Sequence, residues 1–223
     1  MLPLKWAPAQ PGSDFSIVDL QALVESPQGT EAWSGLEATL AKYWPKVDMA
    51  SDQWKRSGER FLLWQEANFL IAGVPFRMPV VGGYVRPLLL TPDTSITIVL
   101  GCECERLQIL GQVTFPEGYP VLGKRGETVA FYRLTYSGGR ERQFPARNGI
   151  EVAQASLIHQ ATRIEPIATA AQPAMIYVKD IVREQYQLLL WTISLERGRV
   201  ETLRCEVQGG QPTLAIFAIT AEH

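Results

Sequence analysis

The sequence predicts a mainly-β protein, an antiparallel β-sandwich preceded by a short helical N-terminal segment. From Phe61 onward, β-branched and aromatic residues recur in short runs separated by Gly, Pro, Asn and Ser, the pattern of half-buried strands between turns. Long helical periods between the runs are missing, and a parallel sheet needs a crossover of a dozen or more residues, usually a helix. Two pairs of runs are each joined through a glycine pair. Thr128–Tyr136 leads through Ser137-Gly138-Gly139 into Arg140–Phe144, and Glu201–Val207 leads through Gln208–Pro212 into Thr213–Thr220. Tight hairpin turns need positive φ, which glycine adopts without strain.

The elements follow in chain order. Asp14–Glu25 carries Phe15, Val18, Leu20, Leu23 and Val24 and reads as a short amphipathic helix. Pro27-Gln28-Gly29 interrupts it. Thr30 is placed to cap a second helix, in which Trp33, Leu36, Leu40 and Tyr43 recur every three or four residues before Pro45 closes it. A third, shorter helix is expected over 51–60, around Trp54. Strands are expected near 61–65, 68–72, 85–90, 95–100, 105–113, 128–136, 140–145, 174–178, 186–193, 200–207 and 213–220. Asn148–Ala171 carries few strand signals and reads as a long loop or short helix, a length of connection that often carries function. The expected division is 1–60 as a helical and extended lead-in packing on the sandwich, and 61–223 as the sandwich itself.

Composition narrows the function classes. At 223 residues the chain can build one substantial core. A formal charge of −2, with Lys and Arg scattered among Glu, gives no basic stripe, so nucleic acid is not an expected partner. The longest apolar stretches, such as Ile96–Leu100 and Leu188–Trp191, are far too short to span a bilayer. The Pro-broken start, Met1 to Gly12, does not read as a signal peptide. That leaves the compartment open: cytoplasmic, or extracytoplasmic if the chain is a fragment of a longer secreted protein. Cys102, Cys104 and Cys205 are too few, and odd in number, for a disulfide framework.

Four segments carry a resemblance. They are Gly73-Val74-Pro75-Phe76, then Ile96–Leu100 with Arg106–Leu110, then Val129–Tyr136 with Ser137–Arg140, and finally Leu214–Glu222. In this order across residues 73–222 they resemble the β-sandwich modules that accompany bacterial glycoside hydrolases, of galactose-binding-like or carbohydrate-binding type. Ser137-Gly138 stands where those modules commonly have Asp-Gly. The resemblance implies a jelly-roll architecture and a polysaccharide-related setting, and it carries over no ligand-binding residue.

Catalytic chemistry finds little footing. A Ser-His-Asp or Cys-His arrangement would have to use His159, because the other histidine is the terminal His223. No Gly-x-Ser-x-Gly elbow presents a serine. The cysteines lack zinc spacing and read as small buried strand residues. The β-region has only Asp93 and Asp180 to offer calcium. Val121–Gly126 lacks the phosphate-loop spacing and reads as a turn. No cofactor and no metal are therefore expected. Several Glu residues sit beside Arg or Lys, as in Glu105-Arg106, Arg140-Glu141-Arg142 and Glu196-Arg197, the pattern of solvated faces. Of the six tryptophans, only Trp191 lies beyond residue 64, and the others read as packing between lead-in and sandwich.

Strand alternation suggests where a ligand site would be. If strands from 105 onward run alternately up and down, loops 115–126, 147–173 and 194–199 share one end. That end would collect Glu117, Tyr119, Lys124, Arg125, Arg147, Asn148, His159 and Arg197, polar groups on loops held by a rigid scaffold. A solvated loop cluster is the competing reading of the same residues. The function expected is a non-catalytic binding or accessory module, carbohydrate-related. The alternatives are a structural or protein-interaction module of a larger protein and a carboxylate-dependent glycoside hydrolase. Expected partners are a carbohydrate or a neighbouring domain.

Overall fold

The computed structural model describes residues 9–43, 67–113, 119, 123–153, 156–157, 168–179 and 184–223. Near the N-terminus lie β1 (Phe15–Val18), α1 (Gln21–Val24) and α2 (Pro27–Tyr43). Short strands follow: β2 (Asn68–Ile71), β3 (Val74–Arg77), β4 (Val80–Val81), β5 (Tyr84–Val85) and β6 (Leu88–Leu90). The longer strands are β7 (Ser95–Glu103), β8 (Arg106–Val113), β9 (Thr128–Tyr136) and β10 (Glu141–Arg147). After β11 (Ser156–Leu157) come β12 (Gln172–Lys179), β13 (Glu184–Ser194), β14 (Arg199–Val207) and β15 (Leu214–Glu222).

The structure is mainly β with antiparallel sheets. One sheet has the order β1-β15-β8-β13-β11, with β12 also on β13 and β6 on β15; the other has the order β10-β9-β14-β7. The chain passes between them repeatedly, with β7 in the second sheet, β8 in the first, β9 and β10 in the second, and so on to β15 in the first. Ile96, Ile98, Tyr132, Leu134 and Leu203 of the second sheet meet Leu107, Ile109, Ile216 and Ile219 of the first in one core. Trp191 and Tyr132 meet edge to face across it, with centroids 5.4 Å apart. The layering fits a β-sandwich.

The sheets differ in how they are covered. In β9 the buried Tyr132, Leu134 and Tyr136 alternate with half-exposed Phe131, Arg133 and Thr135, the period-2 pattern of a sheet with one face in water. β15 is buried at all nine residues, because its sheet has a second cover. Trp33 and Leu36 of α2, Val74 and Phe76 of β3, and Met78 pack on its outer face against Leu110, Leu188, Leu190 and Phe217. The Trp33 indole N–H donates to the Pro87 carbonyl at 3.1 Å. Among the described residues, no helix is long and apolar enough to cross a membrane.

The N-terminal segment departs in part from the helix expected over 14–25, of which only Gln21–Val24 is helical. Phe15–Val18 is instead an edge strand, paired with β15 from Phe15↔Glu222 to Val18↔Ile219. An open strand edge outweighs the helical spacing of a few apolar residues. The second helix begins at Pro27, before the expected Thr30. Ser26 Oγ accepts from the Gly29 N–H at 3.1 Å and caps it, and Pro27 occupies the first helical position, where the missing N–H costs nothing. Gly29 does not break the helix. A Cβ there would stand 2.5 Å from the Leu23 and Val24 carbonyls, so glycine lets α2 fold back on α1. The helix expected over 51–60 and the strand near 61–65 lie outside the described residues. The region 85–90 is divided between β5 and β6.

A buried polar clasp ties the N-terminal segment to the sheet. Glu222 lies opposite Arg106 in register, and their side chains form an ion pair at 2% and 9% exposure. Glu222 Oε2 accepts from Gln108 Nε2 at 2.9 Å. Its Oε1 accepts from the Gln10 N–H at 3.1 Å and from Ser13 Oγ at 3.0 Å. Burial alone would raise the Glu222 carboxyl, but the bonds from Gln108, Gln10, Ser13 and Arg106 outweigh it and hold the group below its ordinary value. A depressed folded-state pKa contributes stability above the unfolded value, and that contribution is lost as pH falls through the folded one. Glu222→Ala should lower the unfolding free energy at pH 7 by about 3–5 kcal/mol, the usual cost of breaking a buried pair. In urea denaturation the gap between wild type and Glu222→Gln should narrow below about pH 4. A gap of constant size down to pH 3 would contradict the assignment.

Candidate functional site

The β9–β10 hairpin brings the predicted residues together. Its strands pair from Glu141↔Thr135 to Arg147↔Thr128, with a bulge at Ala146/Arg147. Residues 123–127, entering β9, and 148–153, leaving β10, therefore emerge side by side. The Gly126 N–H donates to Asn148 O and the Asn148 N–H to Glu127 O, both at 2.8 Å. The Val113 N–H donates to Ala153 O at 3.0 Å and fixes the same loop to the end of β8.

Arg147 and Glu151 are locked together. Glu151 Oε2 accepts from the Arg147 N–H at 2.9 Å and from Nε at 3.0 Å, and Oε1 accepts from Nη2 at 2.5 Å. Glu151 is buried while Arg147 is 40% exposed. Hydrogen bonds donated to the Glu151 carboxylate, and then its charge, push the Arg147 guanidinium above its ordinary value. On the facing turn, the Lys124 N–H donates to Glu127 Oε2 at 3.1 Å. That bond, then one from Gln211, holds the Glu127 carboxyl below its ordinary value.

Asn148 lies between these groups. It has no exposed surface, and neither Nδ2 nor Oδ1 has a hydrogen-bond partner. A buried amide without partners costs about 1–3 kcal/mol, and native structures rarely leave one without a water or ligand. Gly123 makes room for its side chain, and Gly149 makes room for Tyr119 and Arg125 beside it. A Cβ on Gly123 (φ +85) would stand 2.9 Å from Asn148 Nδ2, and one on Gly149 (φ +68) 2.8 Å from Tyr119 Cε1 and 3.0 Å from Arg125 Cγ. The Tyr119 ring and the Arg125 stem thus cover the backbone beside the carboxamide.

Of the predicted cluster, Tyr119, Lys124, Arg125, Arg147 and Asn148 are gathered here. Glu117 and His159 lie outside the described residues. Arg197 is at the other end of the hairpin, where its carbonyl accepts from Arg140 Nη2 at 3.5 Å. The alternation count fails between residues 148 and 171. β12 runs antiparallel to β13, and β13 runs antiparallel to β8, ending at Ser194↔Arg106. β12 therefore points the same way as β8, and the loop after β13, which holds Arg197, falls at the end opposite the one expected. Glu151, Gly123 and Gly149 were not among the expected site residues. The one signal for Glu151 is its position four residues after Arg147, a spacing that here closes a turn and not a helix.

A shallow polar depression of about 200 Å³ lies at the same end of the second sheet, lined by Asp93, Ser95, Arg204, Glu206, Gln208 and Gly209 among others. The three cysteines are free, with Cys104 and Cys205 buried and Cys102 half-buried. Burial, then the neighbouring Cys102, pushes the Cys104 thiol up to about 12, and burial also raises Cys205. Both are protonated at neutral pH and unreactive as nucleophiles. Among the described residues no three of His, Cys, Asp and Glu converge as a metal site.

No family model, curated protein or solved structure matches the chain.

Gly149→Ala tests the packing around the carboxamide. The left-handed backbone costs an alanine about 1–2 kcal/mol, and the Tyr119 contact adds to it. Thermal or urea unfolding should show a loss of at least that size, partly recovered when Tyr119→Ala is added. A neutral Gly149→Ala would mean that this turn does not hold Tyr119 as described.

Proposed function

We propose that the chain is a non-catalytic binding or accessory module for carbohydrate, of galactose-binding-like jelly-roll architecture, with its site at the open end of the β9–β10 hairpin. The observation that carries this reading is the enclosed Asn148 carboxamide, with a free donor and a free acceptor. A sugar hydroxyl also donates and accepts, so one carboxamide can satisfy a hydroxyl pair in both directions. The neighbours suit the same ligand class. Tyr119 supplies an aromatic face for the apolar side of a pyranose ring, and Arg147, held by Glu151, offers a positioned donor. The Gly123–Glu127 turn beside the carboxamide is exposed throughout. The four-segment resemblance to modules that accompany glycoside hydrolases supports the same setting.

Glycan-array screening of the whole chain, followed by calorimetry on any glycan retained, tests the reading. Asn148→Ala should weaken binding about tenfold or more, through loss of one or two buried hydrogen bonds, and Tyr119→Ala should weaken it as well. The same Asn148→Ala variant should unfold at no lower temperature than wild type, because it removes an unpaired polar group. An empty array would sink the carbohydrate assignment. A glycan bound equally well by Asn148→Ala would move the site elsewhere.

A further inference from the structure

The turn end of the same hairpin carries a second, chemically different arrangement. Strand alternation places Arg140 and Arg142 on one side of the hairpin arm. The loop between β13 and β14 lays Glu196 against both. Arg140 Nη1 lies 2.8 Å from Glu196 Oε2, and Arg142 Nη1 pairs with Glu196 Oε1. Two guanidiniums thus share one carboxylate. The nearby acids have their own partners, Glu141 with Arg133 at 3.9 Å and Glu201 with Arg199 at 3.2 Å. Among the described residues, one positive charge therefore remains uncompensated at the pair. Both arginines are about half exposed, at 51% and 49%.

The arginines are also positioned from below. The Arg140 guanidinium lies over the Tyr136 ring, 4.4 Å from its centroid, and Arg142 lies 6.0 Å from the Phe144 centroid. Stacking and the shared carboxylate limit the motion of both side chains, so less order is lost when a ligand binds. Tyr136 is 2% exposed, and its phenol oxygen has no hydrogen-bond partner. Burial raises this phenol, and the charges of Arg140 and Arg142 work against the rise. It remains a protonated, unpaired donor beside two cations.

We propose that Arg140 and Arg142, held on Glu196 above Tyr136, form a recognition site for an oxyanion group, a sulfate or a carboxylate such as acidic sugars carry. Guanidinium forks match the geometry of both groups. The site is separate from Asn148 and stands or falls without it.

NMR titration of the ¹⁵N-labelled whole chain, at ionic strength held constant with sodium chloride, tests the site. The probes are sodium sulfate, sodium glucuronate and neutral glucose. Saturable shifts are expected at the amides of Gly139, Arg142 and Gly198 with at least one anion and not with glucose. Preference for sulfate identifies a tetrahedral ligand and preference for glucuronate a planar carboxylate. The Arg140→Ala/Arg142→Ala variant should lose affinity about tenfold or more, and Asn148→Ala should not change it. Glu196→Gln should bind several-fold more tightly, because it removes the competing charge and keeps the hydrogen-bonding shape, an effect that a purely structural ion pair would not produce. Absence of saturable shifts with both anions, equal shifts with glucose, unchanged affinity in the double variant, or weaker binding by Glu196→Gln would each overturn the proposal.

Discussion

β15 is buried along its whole length, and a strand with no exposed face needs a cover on each side. The second sheet is one cover. The N-terminal helix α2 and the small ribbons around β3 are the other. This requirement makes the N-terminal segment part of the fold and not an appendage. Stripping it away would expose Leu110, Leu188, Leu190 and Phe217, now buried. At roughly 1.5–3 kcal/mol for each large apolar side chain, that is about 6–12 kcal/mol, as large as the net stability of a typical domain. Trp33 is at the centre of this cover, and its indole bond to Pro87 fixes where α2 lies.

The outer layer is not uniformly apolar, and its polar end explains how the strands keep register. Arg106 and Glu222 face each other across β8 and β15. Gln108 joins the pair through Glu222 Oε2, and Thr192 donates to Gln108 Oε1 at 2.6 Å. Charges taken out of water gain little net energy even when paired. They do penalise alternatives. A slip of one residue would turn Glu222 into the inner core, where Ile219 and Ala221 now lie. Thr220, whose hydroxyl donates to Pro75 O at 2.6 Å, adds a second fixed point along the same strand. The closing strand is thus placed by polar groups and stabilised by apolar ones.

What the sequence made legible follows from which interactions are local. Period-2 alternation in β9, and the unbroken apolar run of β15, depend on neighbours in the chain, and both were expected as strands. The Ser137-Gly138-Gly139 turn specifies its own hairpin, and a hairpin necessarily sets its two open ends beside each other. For that reason Arg147 and Asn148 could be grouped with Lys124 and Arg125 in advance. β1 was read as helix because its strand character comes from β15, more than 190 residues away in the chain. Arg197 was misplaced because the count of strand directions passed through 148–171, where sequence does not show how often the chain reverses. The pairing of Arg147 with Glu151 depends on a turn conformation that no helical or strand period encodes.

The β9–β10 hairpin also sets the chemical difference between the two ends. Its turn end holds exposed guanidiniums whose number exceeds that of the carboxylates serving them. Its open end holds a carboxamide that the fold encloses and leaves unpaired. The second departure is the more telling one. An exposed charge excess costs little, since water screens it. An enclosed amide without partners has no such relief, and an apolar residue of similar shape would serve packing better. Neither Gly123 nor Gly149 relieves it, since the first only makes room for the amide and the second for Tyr119 and Arg125. The Glu222 carboxylate is met on both oxygens, whereas both polar atoms of the Asn148 side chain are left unmet at this loop end. Local rules such as the pairing of buried polar groups are most often broken where a site needs groups free for something other than the protein. The free donor and free acceptor, set beside an aromatic ring and a braced arginine, make this end the place to look for a hydroxyl-bearing ligand.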